Sequence, residues 1–283
     1  MNILLFGASG RLGSAFRRVL ESETFITPSH AEVDLKNEAS VAEYLETVDP
    51  DIIINTTAYN KCDAAEGEGR EEAIELNVHV PERLARFAAI KKIPFIHFST
   101  DYVFDGEKAG GYTEDEEANP VNVYGRSKRD GEIAVLNAYP EATIIRVSRL
   151  FGPRADSVNA KPDFIEIVKE YDTKQSSVMF FDKEFGSPTY VDDLVRHIQT
   201  HLLPKPPAGI FHMANQGGCT WYRWAQEIVD QLNLPLIIER RTTEAVRAAQ
   251  IPQYTMLLST KVPPMRPWQE ALRDYLDGLS KEE

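Results

Sequence analysis

The chain has 283 residues, of which 42% are hydrophobic and 27% charged, as in ordinary globular proteins. Its 44 acidic and 31 basic residues give a formal net charge of -13, which argues against nucleic acid or an anionic membrane as a main partner. No apolar run approaches the ~20 residues that span a bilayer. Because two cysteines, Cys62 and Cys219, cannot form a disulfide framework, we expect a cytoplasmic protein.

The first predicted elements are a strand, a glycine turn and a helix. Four apolar residues from Ile3 to Phe6 precede Gly7, Gly10 and Gly13, and apolar residues then recur at helical spacing. Such a turn aims the first N–H groups of the helix at one point and keeps side chains out of the way. The stretch therefore predicts a dinucleotide pyrophosphate site, against the alternative of a plain strand–helix turn.

Strand-like and helix-like segments alternate along the first half of the chain. This alternation predicts an α/β protein with a Rossmann-type, doubly wound parallel sheet and a smaller C-terminal α/β substrate lobe. We expect a dinucleotide-binding domain over residues 1–150 and mainly a substrate-binding lobe over 151–283, from which some segments return to the first domain. The predicted strands lie at 25–28, 51–55, 93–99, 142–147, 177–181, 210–213 and 236–239, and the predicted helices at 41–48, 76–87, 123–137, 164–171, 191–201, 221–232 and 268–279.

Polar residues follow the predicted strands, where parallel sheets bind their ligands. Thr100 ends one strand, and Tyr124 and Lys128 lie four residues apart on one face of a predicted helix. A lysine ammonium beside a tyrosine favours the phenolate and brings the hydroxyl nearer to a useful acid strength. We therefore predict that Tyr124 protonates a carbonyl oxygen during hydride transfer, that Lys128 also binds the nicotinamide ribose, and that Thr100 orients the carbonyl. The alternative, a surface tyrosine on a charged helix, is disfavoured by the glycine turn that precedes this set.

The chain resembles the dTDP-4-dehydrorhamnose reductase family, within the extended short-chain dehydrogenase/reductase superfamily, nearly from end to end. The motifs that carry the resemblance are Gly-Ala-Ser-Gly-Arg-Leu-Gly at 7–13, residues 55–66, Ser-Thr-Asp-Tyr-Val-Phe at 99–104, Tyr-Gly-Arg-Ser-Lys at 124–128, Gly-Ser-Pro-Thr at 186–189 and Pro-Trp-Gln-Glu-Ala-Leu at 267–272. The resemblance implies catalytic roles for Thr100, Tyr124 and Lys128 and a substrate contact at Tyr102. It implies cofactor contacts at Gly7, Gly10, Arg11, Leu12, Gly13, Asp34, Leu35, Thr57, Ala58, Asn60, Tyr124 and Lys128.

The activity that this resemblance implies is reduction of the C4 keto group of a nucleotide-linked 4-keto-6-deoxy sugar. The substrate that it implies most directly is dTDP-4-dehydrorhamnose, which would become dTDP-L-rhamnose. The predicted end of the second strand, at Ser29 and His30, lacks the carboxylate that would hold the ribose 2′-OH of NAD. Arg11 is a candidate partner for a 2′-phosphate. We therefore favour NADPH as cofactor, with NADH as the second choice.

Some positions depart from the family pattern. Arg149 stands where the family often has tryptophan, so we predict that it contacts the substrate, through a phosphate or the sugar. Ala15 stands where members with a metal-linked dimer carry glutamate, so we expect no metal site and a monomer or a metal-independent homodimer. Ile251 and Leu258 replace an arginine and an aspartate. Two alternatives stay open: a non-catalytic regulatory subunit resembling that of methionine adenosyltransferase, and a sugar-nucleotide epimerase or dehydratase. A dehydratase would need an acidic pair beside the tyrosine, and Asp101 supplies only one of the two carboxylates.

Overall fold

The computed structural model describes residues 1–155, 157, 160, 162–243 and 246–279. Six strands form one parallel sheet in the order β2-β1-β3-β4-β5-β9, and β7 pairs with β10 and β6 with β8 in two small parallel sheets. The predicted doubly wound parallel fold is confirmed. The strands are β1 (Asn2–Phe6), β2 (Thr24–Ile26), β3 (Ile52–Asn55), β4 (Phe95–Thr100), β5 (Thr143–Val147), β6 (Leu150–Phe151), β7 (Ser177–Phe181), β8 (Thr189–Tyr190), β9 (Gly209–His212) and β10 (Ile237–Arg241).

The helices differ from the predicted pattern before and within the stretch expected to be a single helix around residues 76–87. Two short helices, Cys62–Ala65 and Arg70–Ile74, were not predicted, and the expected helix begins as a π-helical turn at Glu75–His79 that leads into an α-helix. Because Pro81 has no N–H, the helical hydrogen bond to the carbonyl four residues earlier cannot form there. The helices are α1 (Arg11–Val19), α2 (Glu38–Glu46), α3 (Cys62–Ala65), α4 (Arg70–Ile74), α5 (Val80–Lys91), α6 (Val123–Ala138), α7 (Phe164–Asp172), α8 (Val191–His201), α9 (Trp221–Leu232) and α10 (Trp268–Leu279).

The central strands of the sheet are buried on both faces, and β1 and β3 are mostly apolar. Successive residues of β1 point to opposite faces, so Ile3 and Leu5 join the core under α1 and α8, whereas Leu4 and Phe6 join the core under α2, α5 and α6. All four side chains are almost completely buried. This layering leaves only the strand ends open to a ligand.

Residues after position 150 complete the sheet as well as building the second lobe. Strand β9 pairs with β5, and α8 packs beside α1. Helices α7, α9 and α10 pack around Phe151 and Trp224 in a separate apolar core. Among the residues described above, no helix is long and apolar enough to cross a membrane.

The order of the strands sets where a ligand can enter. Strand β1 lies between β2 and β3. The connection after β1 therefore runs to β2 on one side of the sheet, and the connection after β3 runs to β4 on the other side. The loops after β1 and β3 therefore diverge, and their separation opens a crevice at the carboxyl ends of these strands. The glycine turn follows β1 directly, and Asn55 ends β3 beside it.

Candidate active site

The glycine turn after β1 is shaped by close backbone approaches. Gly7 has a φ of 80°, and a Cβ there would lie 2.6 Å from Oγ1 of Thr56, just past β3. A Cβ on Gly13 would lie 2.2 Å from the carbonyl oxygen of Gly7. Gly10 caps α1 without a side chain, and the first turn of this helix contains no acidic residue. The turn therefore presents a helix N-terminus with little side-chain bulk at the crevice, as anion binding requires.

Arg11 extends away from this turn towards the second lobe. Its Nη1 donates to the carbonyl oxygen of Gly152 at 3.0 Å and lies 3.7 Å from the carboxylate of Asp163, which caps α7. Leu12 is buried in the core under α1. In this arrangement the Arg11 side chain connects the turn to the second lobe, and its contact with a 2′-phosphate stays a prediction.

The loop after β3 is held by two buried asparagines. Asn55 Oδ1 accepts from Thr57 N at 3.1 Å and from Thr57 Oγ1 at 2.6 Å. Asn77, in the π-helical turn, accepts from Tyr59 N at 2.9 Å and donates to Tyr59 O at 3.0 Å. Ala58 and Asn60 are exposed on this loop. The sequence analysis did not single out Asn77, because nothing in its local sequence signals that it fixes a distant loop.

Two of the predicted cofactor contacts, Asp34 and Leu35, lie in the loop after β2. Asp34 Oδ1 accepts from Lys36 N at 3.0 Å and so closes a turn before α2. Leu35 is buried, and its carbonyl oxygen accepts from Arg83 at 3.2 Å. Glu32, which the sequence analysis did not consider, accepts from both the N and the Oγ of Ser29, at 2.8 and 2.7 Å. The exposed carboxylate of Glu32 is therefore folded back to the end of β2.

Tyr124 lies in the first turn of α6, beside the carboxyl end of β4. Asn122 caps this helix by accepting from Gly125 N at 2.7 Å. A Cβ on Gly125 would lie 2.1 Å from the carbonyl oxygen of Tyr102, so only glycine allows this approach. The rings of Tyr102 and Tyr124 consequently meet edge to face, with centroids 5.8 Å apart, and the Thr100 side chain lies near enough to Tyr124 to lower its pKa, although burial outweighs this effect. The structure thus brings together Thr100, Tyr124 and the predicted substrate contact Tyr102.

Lys128 follows one turn later on α6 and is buried. Its Nζ donates to the carbonyl oxygen of Phe98 at 2.6 Å and lies 3.5 Å from His97 Nε2. Burial lowers the pKa of Lys128 to about 8, although the nearby Glu132 carboxylate opposes this. Burial also raises the pKa of Tyr124. We expected Lys128 to lower the pKa of Tyr124, but in the structure this pKa is raised. The reason is that burial has the largest effect and that the Lys128 ammonium donates to the carbonyl oxygen of Phe98.

We expect the buried ammonium of Lys128 to make stability depend on pH. The pKa is about 8 in the folded chain against an ordinary value of 10.5, so between these values the unfolded chain binds more protons. The free energy of unfolding of the wild type should therefore rise with pH across this window relative to that of Lys128→Met. Urea unfolding at several pH values measures this difference. Lys174→Met, at an exposed site, is the control, and parallel curves for wild type and Lys128→Met would contradict the prediction.

A buried ion pair lies behind Lys128. Arg146 Nε donates to Glu132 Oε1 at 2.8 Å and Nη2 donates to Oε2 at 2.7 Å, and both side chains are 3% exposed. Arg146 Nη1 lies 3.4 Å from Nε2 of His212, whose pKa is lowered to about 4 by burial and by the Arg146 charge. The pair fastens α6 to β5 and β9, which fixes the helix that carries Tyr124 and Lys128.

Arg149 has a backbone φ of 41° and a fully engaged side chain. Its Nη1 donates to the carbonyl oxygen of Cys219 and its Nη2 to that of Glu184, each at 2.8 Å. The guanidinium also lies 4.3 Å from the centroid of a Trp221 ring. Arg149 therefore links the end of β5 to the segments before β8 and α9, and its contact with substrate stays a prediction.

A cleft of about 990 Å³ opens beside these residues. Val121, three residues before Tyr124, is among the residues that line it, whereas Thr100, Tyr124 and Lys128 are not. Burial raises the pKa of the Cys62 thiol to about 11. Within the described residues, no group of three or more His, Cys, Asp or Glu side chains could hold a metal ion. Residues of both charges line the cleft, among them Asp105, Lys183, Glu184, Arg241 and Arg247.

Known proteins are similar to this chain over nearly its whole length. Residues 1–281 match the family described as the RmlD substrate binding domain. A Streptomyces antibioticus protein named "Probable dTDP-4,6-dihydroxy-2-methyloxan-3-one 4-ketoreductase" is 34% identical, over 99% of this chain and 96% of its own length. A dTDP-4-dehydrorhamnose reductase of Mycolicibacterium smegmatis is 30% identical, over 98% of this chain and 85% of its own length. The crystal structure of a dTDP-4-dehydrorhamnose reductase from Bacillus anthracis in complex with NADP has a TM-score of 0.90 and 27% identity, and covers 98% of this chain and 99% of that one.

Proposed function

We propose a reductase function for this chain, which belongs to the RmlD substrate binding domain family. The reaction is the NADPH-dependent reduction of the C4 keto group of a dTDP-linked 4-keto-6-deoxy sugar, and dTDP-4-dehydrorhamnose is the proposed substrate. The observation that carries this proposal is the meeting of Thr100 and Tyr124 at the end of β4, with Lys128 one turn further along α6. The substrate name comes from the relatives, which are reductases of dTDP-linked keto sugars.

The residues of the glycine turn fit a dinucleotide cofactor. The turn after β1 has no side-chain cap and lies against Thr56 at the sheet's switch point, which suits a pyrophosphate. NADPH, when bound, supplies the hydride that reduces the C4 carbonyl. The residues proposed to contact it are Gly7, Gly10, Arg11, Leu12, Gly13, Asp34, Leu35, Thr57, Ala58, Asn60, Tyr124 and Lys128.

The chain's own residues supply the rest of the chemistry. Tyr124 gives its hydroxyl proton to the oxygen at C4, and Thr100 holds the carbonyl next to this donor. Lys128 is proposed to bind the cofactor ribose, a role that requires its ammonium to leave the carbonyl of Phe98. Tyr102, which contacts the Tyr124 ring, is the proposed sugar contact. The proposed substrate cleft is the one that Lys183, Arg241 and Arg247 line, because their cations can receive a diphosphate.

The direct test measures cofactor oxidation by the purified chain. NADPH and NADH loss is followed with a panel of dTDP-, GDP- and UDP-linked 4-keto-6-deoxy sugars, and the product mass is determined. We expect turnover with a dTDP-linked sugar and a product two hydrogens heavier than the substrate. No turnover with any sugar would favour the non-catalytic regulatory subunit, whereas a product of unchanged mass, or one lighter by water, would indicate an epimerase or a dehydratase.

The structure gives a reason to include NADH in this test. Glu32 lies in the loop after β2 and accepts from Ser29 N and Oγ. A carboxylate in this loop can accept from the ribose 2′-OH of NADH and repels a 2′-phosphate. We propose NADPH as the preferred cofactor and expect Glu32→Gln to increase that preference. The ratio of kcat/KM values for the two cofactors measures it.

We also propose which part of the chain binds which ligand, an assembly state and a cellular location. Residues 1–150 are proposed to bind mainly the dinucleotide, and 151–283 mainly the substrate, apart from the segments that complete the sheet. The assembly is proposed to be a monomer or a metal-independent homodimer, because Ala15 is buried in the core. A cytoplasmic location is proposed because Cys62 and Cys219 are both free thiols.

A further inference from the structure

His97 lies between Asn55 and Lys128 and is completely buried. Asn55 and His97 are register partners on β3 and β4, and Asn55 Nδ2 lies 3.2 Å from His97 Nδ1. On the other edge of the ring, His97 Nε2 lies 3.5 Å from Lys128 Nζ. Nζ also donates to the carbonyl oxygen of Phe98 at 2.6 Å. The imidazole is thus a direct neighbour of the proposed ribose contact in its resting position.

The orientation of the His97 ring follows from its two polar contacts. Turning the ring by half a revolution about the Cβ–Cγ bond would exchange Nδ1 with Cδ2 and Nε2 with Cε1, so that Asn55 and Lys128 would both face carbon. A buried polar side chain that loses its hydrogen-bonding partners is costly. The Phe95 ring stacks nearly parallel to that of His97, with centroids 6.5 Å apart. Nitrogen atoms therefore face both Asn55 and Lys128.

The contacts of Asn55 decide which nitrogen of His97 carries the proton. Asn55 Oδ1 accepts from Thr57 N at 3.1 Å and from Thr57 Oγ1 at 2.6 Å. A backbone N–H can only donate, so the amide oxygen must face Thr57 and the amide NH2 group must face His97. His97 Nδ1 consequently accepts. Because burial and the Lys128 charge lower the pKa of His97, the ring is neutral, and its one hydrogen lies on Nε2.

This tautomer directs a donor at Lys128. A neutral amine at Nζ can accept from the Nε2–H group, whereas an ammonium has only donors to offer and gains no hydrogen bond from it. The charged form of Lys128 is therefore held at rest by the carbonyl oxygen of Phe98 without support from His97. In the opposite tautomer Nε2 would accept, and the ammonium would be held by both groups. The observed tautomer thus weakens the binding of the charged side chain to the interior.

We propose that His97 is a positioning residue: Asn55 holds it with its Nε2–H group towards Lys128, and this keeps the Lys128 ammonium free to leave Phe98 for the ribose of the cofactor. This role rests on the proposed function, in which Lys128 contacts the ribose, and adds what releases it. Ribose hydroxyls can accept as well as donate, so an ammonium that lacks a second acceptor at rest gains one when the cofactor binds.

The first test is the tautomer itself in the free wild-type chain. Nitrogen–proton correlation NMR of a chain with isotope-labelled histidine, with signals assigned through the backbone, shows which ring nitrogen carries the hydrogen at neutral pH. We expect the hydrogen of His97 on Nε2 and none on Nδ1. A hydrogen on Nδ1 overturns the inference, because Nε2 would then accept from Lys128.

Asn55→Asp is expected to reverse the tautomer. One carboxylate oxygen can still accept from Thr57, while the other replaces the NH2 group and accepts from Nδ1–H of His97. Nε2 then accepts from the Lys128 ammonium and holds it at rest. We expect NMR to show the hydrogen on Nδ1, and a fluorescence titration to show a dissociation constant of NADPH that is raised at least ~5-fold.

Lys128→Met separates this trapping from simple repulsion. The new carboxylate also repels the phosphates of NADPH, but in a Lys128→Met background the repulsion remains and no ammonium can be trapped. Asn55→Asp should therefore weaken NADPH binding by a smaller factor there than in the wild type. An equal factor in both backgrounds, or unchanged binding in Asn55→Asp, overturns the inference.

A further readout needs no change at Asn55, in case Asn55→Asp fails to fold in a thermal melt. NADPH should move the Nε2–H signal of His97 more in the wild type than in Lys128→Met, because Nζ leaves the ring only in the wild type. Equal movement overturns the inference. A Lys128→Met chain that binds NADPH as tightly as the wild type refutes the proposed ribose contact instead and leaves the tautomer unaffected, so the two failures are distinguishable.

Discussion

Tyr124→Phe is expected to lower turnover at least ~100-fold while leaving NADPH binding nearly unchanged. The substitution removes the hydroxyl but keeps the ring that meets Tyr102 edge to face. The first turn of α6 should therefore keep its shape, and only the proton donor is lost. Initial rates with a dTDP-linked 4-keto sugar give the loss in kcat, and a fluorescence titration gives the dissociation constant of NADPH.

Tyr139→Phe is the matched control for this variant. Tyr139 follows the other end of the same helix and is also largely buried, but it lies in the core under α2, α5 and α6 and not at the strand ends. We expect this variant to turn over at close to the wild-type rate. A near-normal rate for Tyr124→Phe would refute the role assigned to Tyr124 and with it the proposed mechanism.

Glu132→Ala is expected to cost about 3–5 kcal/mol of stability. The reason is that Arg146, 3% exposed, would keep its charge in the interior and lose both hydrogen bonds to its partner. Loss of the ion pair should also release α6 from β5. It should lower the pKa of Lys128 further, because the Glu132 carboxylate raises this pKa in the wild type. The free energy of unfolding in urea, compared with that of the wild type, measures the effect.

Two further variants separate the broken pair from other losses. Glu132→Leu combined with Arg146→Met removes both charges and should recover much of the stability, because no charge is then left unpaired. Glu170→Ala removes an ion pair with Lys174 on the surface of α7 and should change stability little. If Glu132→Ala were no less stable than Glu170→Ala, the buried pair would have no measurable role in holding α6.

Much of the fold was predictable because its signals are local. The apolar run of β1, the glycines after it and the helical spacing of α1 all lie within the first 20 residues, and each element forms from its own pattern. The convergence of Thr100 and Tyr124 also followed from pattern, since the carboxyl ends of parallel strands meet at one edge of a sheet. The π-helical turn before α5 was missed, because helical periodicity continues through it and only Pro81 marks the place.

The roles of individual polar side chains depended on partners far away in the chain. The hydrogen bonds of Arg149 reach residues 35 and 70 positions further on, and Asp101 meets Ser148 across 47 positions. Sequence spacing contains no information on such pairs, so the partners of Arg149 were not predicted, and Asp101 was considered only as one acid of a dehydratase. Its position directly after Thr100 was the one available signal of its actual place.

By itself the sequence determined the parallel sheet, the glycine turn and the candidate set of Thr100, Tyr124 and Lys128. The signals for these features are the hydrophobic periodicity, the turn residues and the succession of strands, and each can be recognised from residues that are neighbours in the chain. Only the tertiary structure decided the electrostatics of that set. It buried Lys128 against Phe98, paired Glu132 with Arg146 behind it, and placed Asp101 where it takes the Thr100 hydrogen. The physical reason is that a pKa depends on desolvation and on the nearest charges, and packing between distant segments sets both.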